Sequence, residues 1–207
     1  MTTDLLTLHT LRLGGVLDAE AIAARLRADP AQIAELLLDH EAFGWVTRVE
    51  FSGLSGWALT ERGRRANERR LAEELDAAGT RPQVEQAHNA FEKRNGLVVA
   101  ACTRWQLRST AHGRSVPNDH DDPDWDQQVL TELTGAAQDL IRINETLTAA
   151  LPRFGGYAER FATALTHARS GQHEWVAGIE VDSCHQVWME LHADLLSTLG
   201  VSRDLEA

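Results

Sequence analysis

The chain has 207 residues, 43% of them hydrophobic, and a formal net charge of −11. That apolar fraction supports a packed core and excludes a disordered chain. The acidity excludes a general polyanion binder, because affinity for nucleic acid rests mainly on neutralising phosphates. Residues 1–80 hold nine arginines against thirteen acids, and residues 81–207 hold eleven Lys plus Arg against eighteen acids, so only a local basic face is open to either half. No apolar run approaches the roughly 18 residues of a membrane span. The N-terminus lacks a basic stretch followed by an apolar run, so no signal peptide is expected and the expected compartment is the cytoplasm. Cys102 and Cys184, the only cysteines, are expected to be free and buried thiols.

In chain order, Asp4 to Leu13 predicts a first helix stopped by Gly14-Gly15. Asp18 caps a second, whose Ala19, Ile22, Ala23 and Leu26 follow the spacing of one buried face. Asp29-Pro30 opens a third, with an aspartate cap and proline at the first helical position. Ile33, Leu36, Leu37 and Phe43 form its apolar stripe and Gly44 ends it. Trp45 to Phe51 alternates like a strand, residues 52–56 make a turn, and Trp57-Ala58-Leu59 returns as a second strand. Thr60 then caps a fourth helix reaching Ala78, before Gly79.

From Arg81 onward the pattern is helical. Gln83 to Gln106 predicts one or two helices with Phe91, Leu97, Val98, Ala101, Trp105 and Leu107 in the core. Residues 109–123 read as a polar loop. Asp122-Pro123 repeats the cap-then-proline start, and a long helix follows to about Leu151 on Val129, Leu130, Leu133, Leu140, Ile143 and Leu147. Further helices are expected at 157–170 and 173–199. The fold class is therefore mainly α: an N-terminal unit at 1–79 and a C-terminal α-helical bundle at 80–207.

The order of helix, helix pair, two-stranded ribbon and helix, with the exit Trp57-x-Leu59-Thr60-x-x-Gly63, resembles the winged helix-turn-helix domains of MarR- and PadR-like bacterial transcriptional regulators. The resemblance covers residues 4–75. It implies a DNA-binding domain in which the second helix of the pair enters the major groove with its N-terminal residues at base edges. The exposed positions of that third helix are Ala31, Gln32, Glu35, Asp39 and His40, and Gln32 alone is a natural base reader, towards adenine. Arg25, Arg27, Gln32, Arg48, Arg62, Arg64 and Arg65 are the expected DNA-contacting set. The competing expectation is that the fourth-helix arginines pair with Glu61, Glu68, Glu73 and Glu74 along a solvated face. A DNA surface requires a continuous positive strip joining the third helix, the wing and Arg62–Arg65; a negative third-helix face contradicts it and favours protein contact.

In the helical half, Asp182, His185, Met189 and His192 share one face if 173–199 is a single helix. His185 and His192 would lie two turns apart, about 10 Å, too far for one metal without strain, so that face is read as ligand-lining and no metal is assigned. Arg104, Trp105 and Arg108, with Arg153, Phe154, Tyr157 and Arg160, are cationic and aromatic groups suited to a small anionic effector. The expected ligand set is Arg104, Trp105, Arg108, Tyr157, His185, Trp188 and His192. The acidic loop at 118–126 lacks the order of a calcium loop, and its aspartates suit a helix N-terminus. This tail is similar to the helical effector-binding domains of GntR-type regulators, without their full histidine and aspartate pattern. The run Asp182 to Leu196 also looks like actinobacterial proteins related to pyruvate phosphate dikinase systems.

No phosphate loop and no Ser-His-Asp or Cys-His signature appears, so an enzyme is not expected, nor a cofactor. The leading expectation is a transcriptional regulator that binds double-stranded DNA as a homodimer, with no membrane association. The alternative is a regulatory adaptor whose N-terminal unit contacts a metabolic enzyme and never touches DNA.

Overall fold

The computed structural model describes residues 2–51, 53–109 and 114–201. It is mainly helical with small antiparallel sheet elements. The chain divides into two compact units, one running to Gly79 and taking in the C-terminal segment from Leu196, the other Thr80–Leu195.

The first unit begins with α1 (Thr3–Gly14), α2 (Ala19–Leu26) and α3 (Pro30–Ala42). Each starts on a side-chain cap: Thr2 accepts from Leu5 N, Asp18 from Ala21 N and Asp29 from Ala31 N, the groups a helix N-terminus leaves unpaired. Leu8, Leu11, Ile22, Ile33, Leu37 and Val46 form one buried cluster. Phe43, expected in that stripe, is 54% exposed, because α3 ends at Ala42 and Phe43 lies beyond its buried face, stacked on Trp45 at 4.9 Å.

Strands β1 (Val46–Phe51) and β2 (Leu54–Leu59) pair antiparallel from Val46↔Leu59 to Phe51↔Leu54. The returning strand thus starts three residues earlier than the sequence pattern suggests. Gly53 takes φ +85°, which lets the chain reverse between Phe51 and Leu54. Leu17 adds a short third rung, its N–H donating to Trp57 O at 3.1 Å and its carbonyl accepting from Trp57 N at 2.8 Å.

Helix α4 (Glu61–Ala78) follows. Thr60 holds its start: the hydroxyl donates to Gly44 O at 2.7 Å and accepts from Gly63 N at 3.0 Å, while Thr60 N donates to Trp45 O at 2.9 Å. Behind the core, Asp4 of α1 accepts from Arg70 of α4 and faces the ring of buried His40 of α3. Burial pulls the Asp4 carboxyl up, but hydrogen bonds and charge from Arg70 and His40 outweigh it and leave it below the ordinary value.

A carboxyl depressed in the folded state stabilises the fold fully above its unfolded pKa of about 3.9 and loses that contribution as pH falls through the folded pKa. Asp4→Asn is therefore expected to destabilise the protein at pH 7, with the gap from wild type closing below about pH 4. Urea titrations across pH 3–7 check this, and a gap independent of pH contradicts it.

The second unit contains α5 (Arg81–Gln106), α6 (Pro123–Ala150), α7 (Tyr157–Arg169), the single turn α8 (Glu174–Ala177) and α9 (Cys184–Leu199), of which the part to Leu195 belongs here. Phe91, Leu133, Leu140, Leu147, Phe154, Phe161, Trp188 and Leu191 are fully buried. Leu97 and Leu107, expected in the core, are 57% and 41% exposed; the buried stripe of α5 runs instead through Val84, Ala87, Phe91, Val98, Ala101, Cys102 and Trp105.

Two further expectations are corrected. The loop after α5 opens with a hairpin, β3 (Leu107–Ser109) against β4 (Ser115–Pro117), paired Leu107↔Pro117 to Ser109↔Ser115. The segment 173–199 is not one helix. Gly178 leaves the helical region at ψ 150°, and Ser183 restarts the chain by accepting from Gln186 N through its hydroxyl, a side-chain bond that competes with helix continuation.

Candidate functional site

On the first unit the seven predicted DNA-contacting residues are all exposed, but they fall into two groups. Arg48 lies over the Trp57 ring at 4.7 Å with its Nε 3.6 Å from Glu41. Arg65 pairs with Glu61 one turn back at 3.1 Å. Arg25, Arg27, Arg62 and Arg64 have no carboxylate partner among the described residues. Glu68, expected to pair along α4, instead meets Arg12 of α1 at 2.7 Å.

Arg25 and Arg27 end α2 and immediately precede α3, with Arg27 in the left-handed region at φ 51°. Gln32 lies exposed in the first turn of α3. The rest of that exposed face holds Glu35, Leu38, Asp39 and Glu41 and no cation. His40, expected to be exposed, is 1% exposed, held inward by Asp4. The continuous positive strip is therefore broken over the C-terminal half of α3; basic groups remain at its N-terminal end and at the start of α4.

In the second unit the seven predicted ligand residues do not line one cavity. Arg104 pairs with Glu132. Arg108 pairs with Asp122 at 2.7 Å and lies over the Trp125 ring. Trp105 is buried and donates its indole N–H to His173 O at 3.0 Å. The Tyr157 hydroxyl donates to Asp194 at 3.0 Å beside the buried Arg153–Asp194 pair. Burial first, then the Asp194 and Glu190 charges, push that phenol up, so it stays a donor. Arg160 is clamped by Asp182 and Glu190 at 2.7–3.0 Å; burial opposes its charge, but those carboxylates hold it protonated. Every one of these arginines already has a protein carboxylate, so an anionic effector would have to displace one.

His185 is half-buried, and desolvation lowers its pKa. Asp182 lies before α9 and its carboxylate is taken by Arg160, so the expected Asp182–His185–His192 face does not form. Trp188 and His192 are brought together through Phe91, with ring centroids 4.4 and 5.3 Å away respectively. A concavity lined by Ala87, Ala90, Arg94, Asp139, Arg142 and Ile143 lies along α5 and α6 and includes none of the seven.

Two clusters of metal-capable side chains were not read from the sequence: His88, Glu92 and His192, and His120, Asp126 and His173. The first carried a signal, since His88 and Glu92 are one helical turn apart. In the second, His120 Nδ1 is 2.8 Å from Asp126 and its backbone is left-handed at φ 61°.

Cys102 and Cys184 are free and buried, and desolvation pushes both thiols up to about 12. The thiolate is the reactive form, so neither is expected to react with Ellman's reagent at pH 8 until the protein is unfolded. Rapid labelling of the folded protein contradicts this.

Comparison with family models, with curated proteins and with solved structures finds no match to this chain.

Proposed function

We propose that the protein is a DNA-binding transcriptional regulator whose first unit is a winged helix-turn-helix. The observation that carries the reading is the placement of Arg25 and Arg27 at the end of α2 next to exposed Gln32 at the start of α3, all three clear of acidic partners among the described residues. Bases are met by the N-terminal residues of a recognition helix, and phosphates are held by the segments that flank it. Arg62 and Arg64, at the start of α4, supply further phosphate contacts beyond the β1–β2 hairpin. The helical unit serves dimerisation, so that two copies read half-sites about 34–36 Å apart.

The acids of α3 break the continuous positive strip that a DNA surface requires and count against this reading over the C-terminal half of that helix, which confines it to the N-terminal end. Glu35 lies more than a turn into the helix and Asp39 and Glu41 lie near its end, so the helix must meet the groove end-on. A mobility-shift titration against the chain's own upstream region tests it. Arg25→Ala with Arg27→Ala is expected to weaken binding to every sequence, whereas Gln32→Ala relaxes discrimination at one base pair by about 1–3 kcal/mol. Unchanged binding in both variants contradicts it.

A second reading has its own support. Leu38 and Phe43 at the end of α3 are 50% and 54% exposed on the helix that also presents Glu35, Asp39 and Glu41, and Phe51 at the tip of β1 is 76% exposed. An acidic face studded with large apolar side chains suits a basic protein partner better than a phosphate backbone. On this reading the protein is an adaptor that contacts a metabolic enzyme. Leu38→Ser with Phe43→Ser leaves DNA binding intact under the first reading and abolishes the partner contact under the second.

A further inference from the structure

We propose that His88, Glu92 and His192 form a binding site for one divalent first-row transition-metal ion, with Zn2+ the expected occupant. His88 and Glu92 stand one turn apart on α5 and His192 comes from α9, so all three donors sit on regular helices of the second unit. Their ligand atoms lie within 4.8 Å of one another. Glu92 Oε1 is the hub: His192 Nε2 is 3.0 Å from it and His88 Nε2 is 3.8 Å. A metal with bonds of about 2.0–2.2 Å to nitrogen and oxygen needs donors roughly 3–3.5 Å apart. One contact already meets that spacing, and a small turn of the His88 ring brings in the other.

Glu92 Oε1 is itself buried and receives no hydrogen bond among the described residues. Its close polar neighbours are the imidazole nitrogens of His192 at 3.0 Å and His88 at 3.8 Å, and a cation seated among them makes all three groups ligands.

The surroundings are those of a built site. Trp188 donates its indole N–H to Asn95 Oδ1 at 3.1 Å. An indole can only donate, so the Asn95 amide is turned with its NH2 towards Glu92, and Nδ2 meets Oε2 at 3.4 Å. The second carboxylate oxygen is thereby held while the first points at the histidines. Phe91 lies against both Trp188 and His192 and fixes the second ring. Outer contacts of this kind orient metal ligands and are worth about 10–100-fold in affinity. Two imidazoles and one carboxylate leave coordination positions open, so water or a small ligand completes the shell. The other histidine cluster is less suited: Asp126 is already shared between His120 and Asn118, and His173 is exposed.

The test is Zn2+ binding to the full chain, measured by competition with a chromophoric chelator, together with the absorption spectrum of the Co2+ form. One tight equivalent is expected, with visible Co2+ bands and no thiolate charge-transfer band. Glu92→Gln keeps the shape of the site and is expected to weaken binding by more than about 100-fold, above the outer-contact range. Asn95→Ala should fall within that range, about 10–100-fold, and His120→Ala should change nothing. Circular dichroism confirms that each variant is folded. The proposal is overturned if the wild type takes up no stoichiometric metal, if Glu92→Gln binds as the wild type does, or if His120→Ala abolishes the tight site.

Discussion

Replacing Asp194 with asparagine is expected to destabilise the protein by about 3–5 kcal/mol, the cost of leaving a buried charge without its partner. Asp194 and Arg153 have side chains only 3% and 4% exposed. Arg153 comes from the turn between α6 and α7 and lies over the Phe154 ring at 4.4 Å. The same carboxylate accepts from Tyr157 at the first position of α7. One side chain of α9 thus anchors the α6–α7 corner through a guanidinium and a phenol. An asparagine in its place would accept one of those bonds and balance no charge. The double variant Arg153→Met with Asp194→Leu removes both charges and should lie closer to wild type than Asp194→Asn does, because apolar packing can replace a buried pair at little cost. Urea unfolding of the wild type and both variants checks this. A single variant within about 1 kcal/mol of wild type contradicts it, since that is no more than the value of an exposed pair.

Gly63→Ala is expected to cost about 3 kcal/mol or more, at or beyond the upper end of ordinary overpacking. A methyl group built on Gly63 would lie 1.9 Å from the Trp45 carbonyl oxygen. That oxygen is fixed at the start of β1 and accepts from Thr60 N, so neither it nor the first turn of α4 can yield without breaking the Thr60 bonds. Glycine is required here by close approach of two backbone segments rather than by its dihedral freedom. Thr60→Ala removes the cap and the hydroxyl's bond to Gly44 O and should cost about 1–2 kcal/mol, which gives a scale for the larger loss. Near-equal stabilities of Gly63→Ala and wild type would mean that hairpin and helix are not locked at Trp45.

These two sites differ in how far the sequence discloses them. Thr60 and Gly63 stand three apart at the end of an alternating segment, and a cap followed by a glycine is a local pattern. Its consequence, the contact with Trp45, follows once the hairpin folds back. The same locality made α2, α3, α4 and α6 legible, since Asp18, Asp29, Thr60 and Asp122 each cap a helix a few residues on. Arg153 and Asp194 are 41 residues apart, and nothing local in either one marks the pair.

The histidines show the same limit. His192 reads naturally against His185 on its own helix, but the chain brings it to His88 and Glu92, about a hundred residues earlier. The break before α9 was hidden for another reason. Val181 and Asp182 continue a plausible helical pattern, although the chain leaves the helix at Gly178 and re-enters one only after Ser183. The arginines of the first unit were visible as a set, yet which of them are neutralised depends on Glu41 and Glu61 reaching back to Arg48 and Arg65.

The salt dependence of DNA binding tests the central claim most directly. If Arg25, Arg27, Arg62 and Arg64 each neutralise one phosphate in both copies of the dimer, the slope of log affinity against log salt is about −7.2, from roughly −0.9 per phosphate. Removing Arg25 and Arg27 from both copies should bring it to about −3.6. Fluorescence anisotropy with a duplex from the chain's own upstream region, between about 50 and 200 mM salt, measures both. A slope near these values that falls by half in the double variant is the predicted result. Absence of binding at the lowest salt, or a slope the double variant leaves unchanged, would contradict a DNA-contacting role for this face.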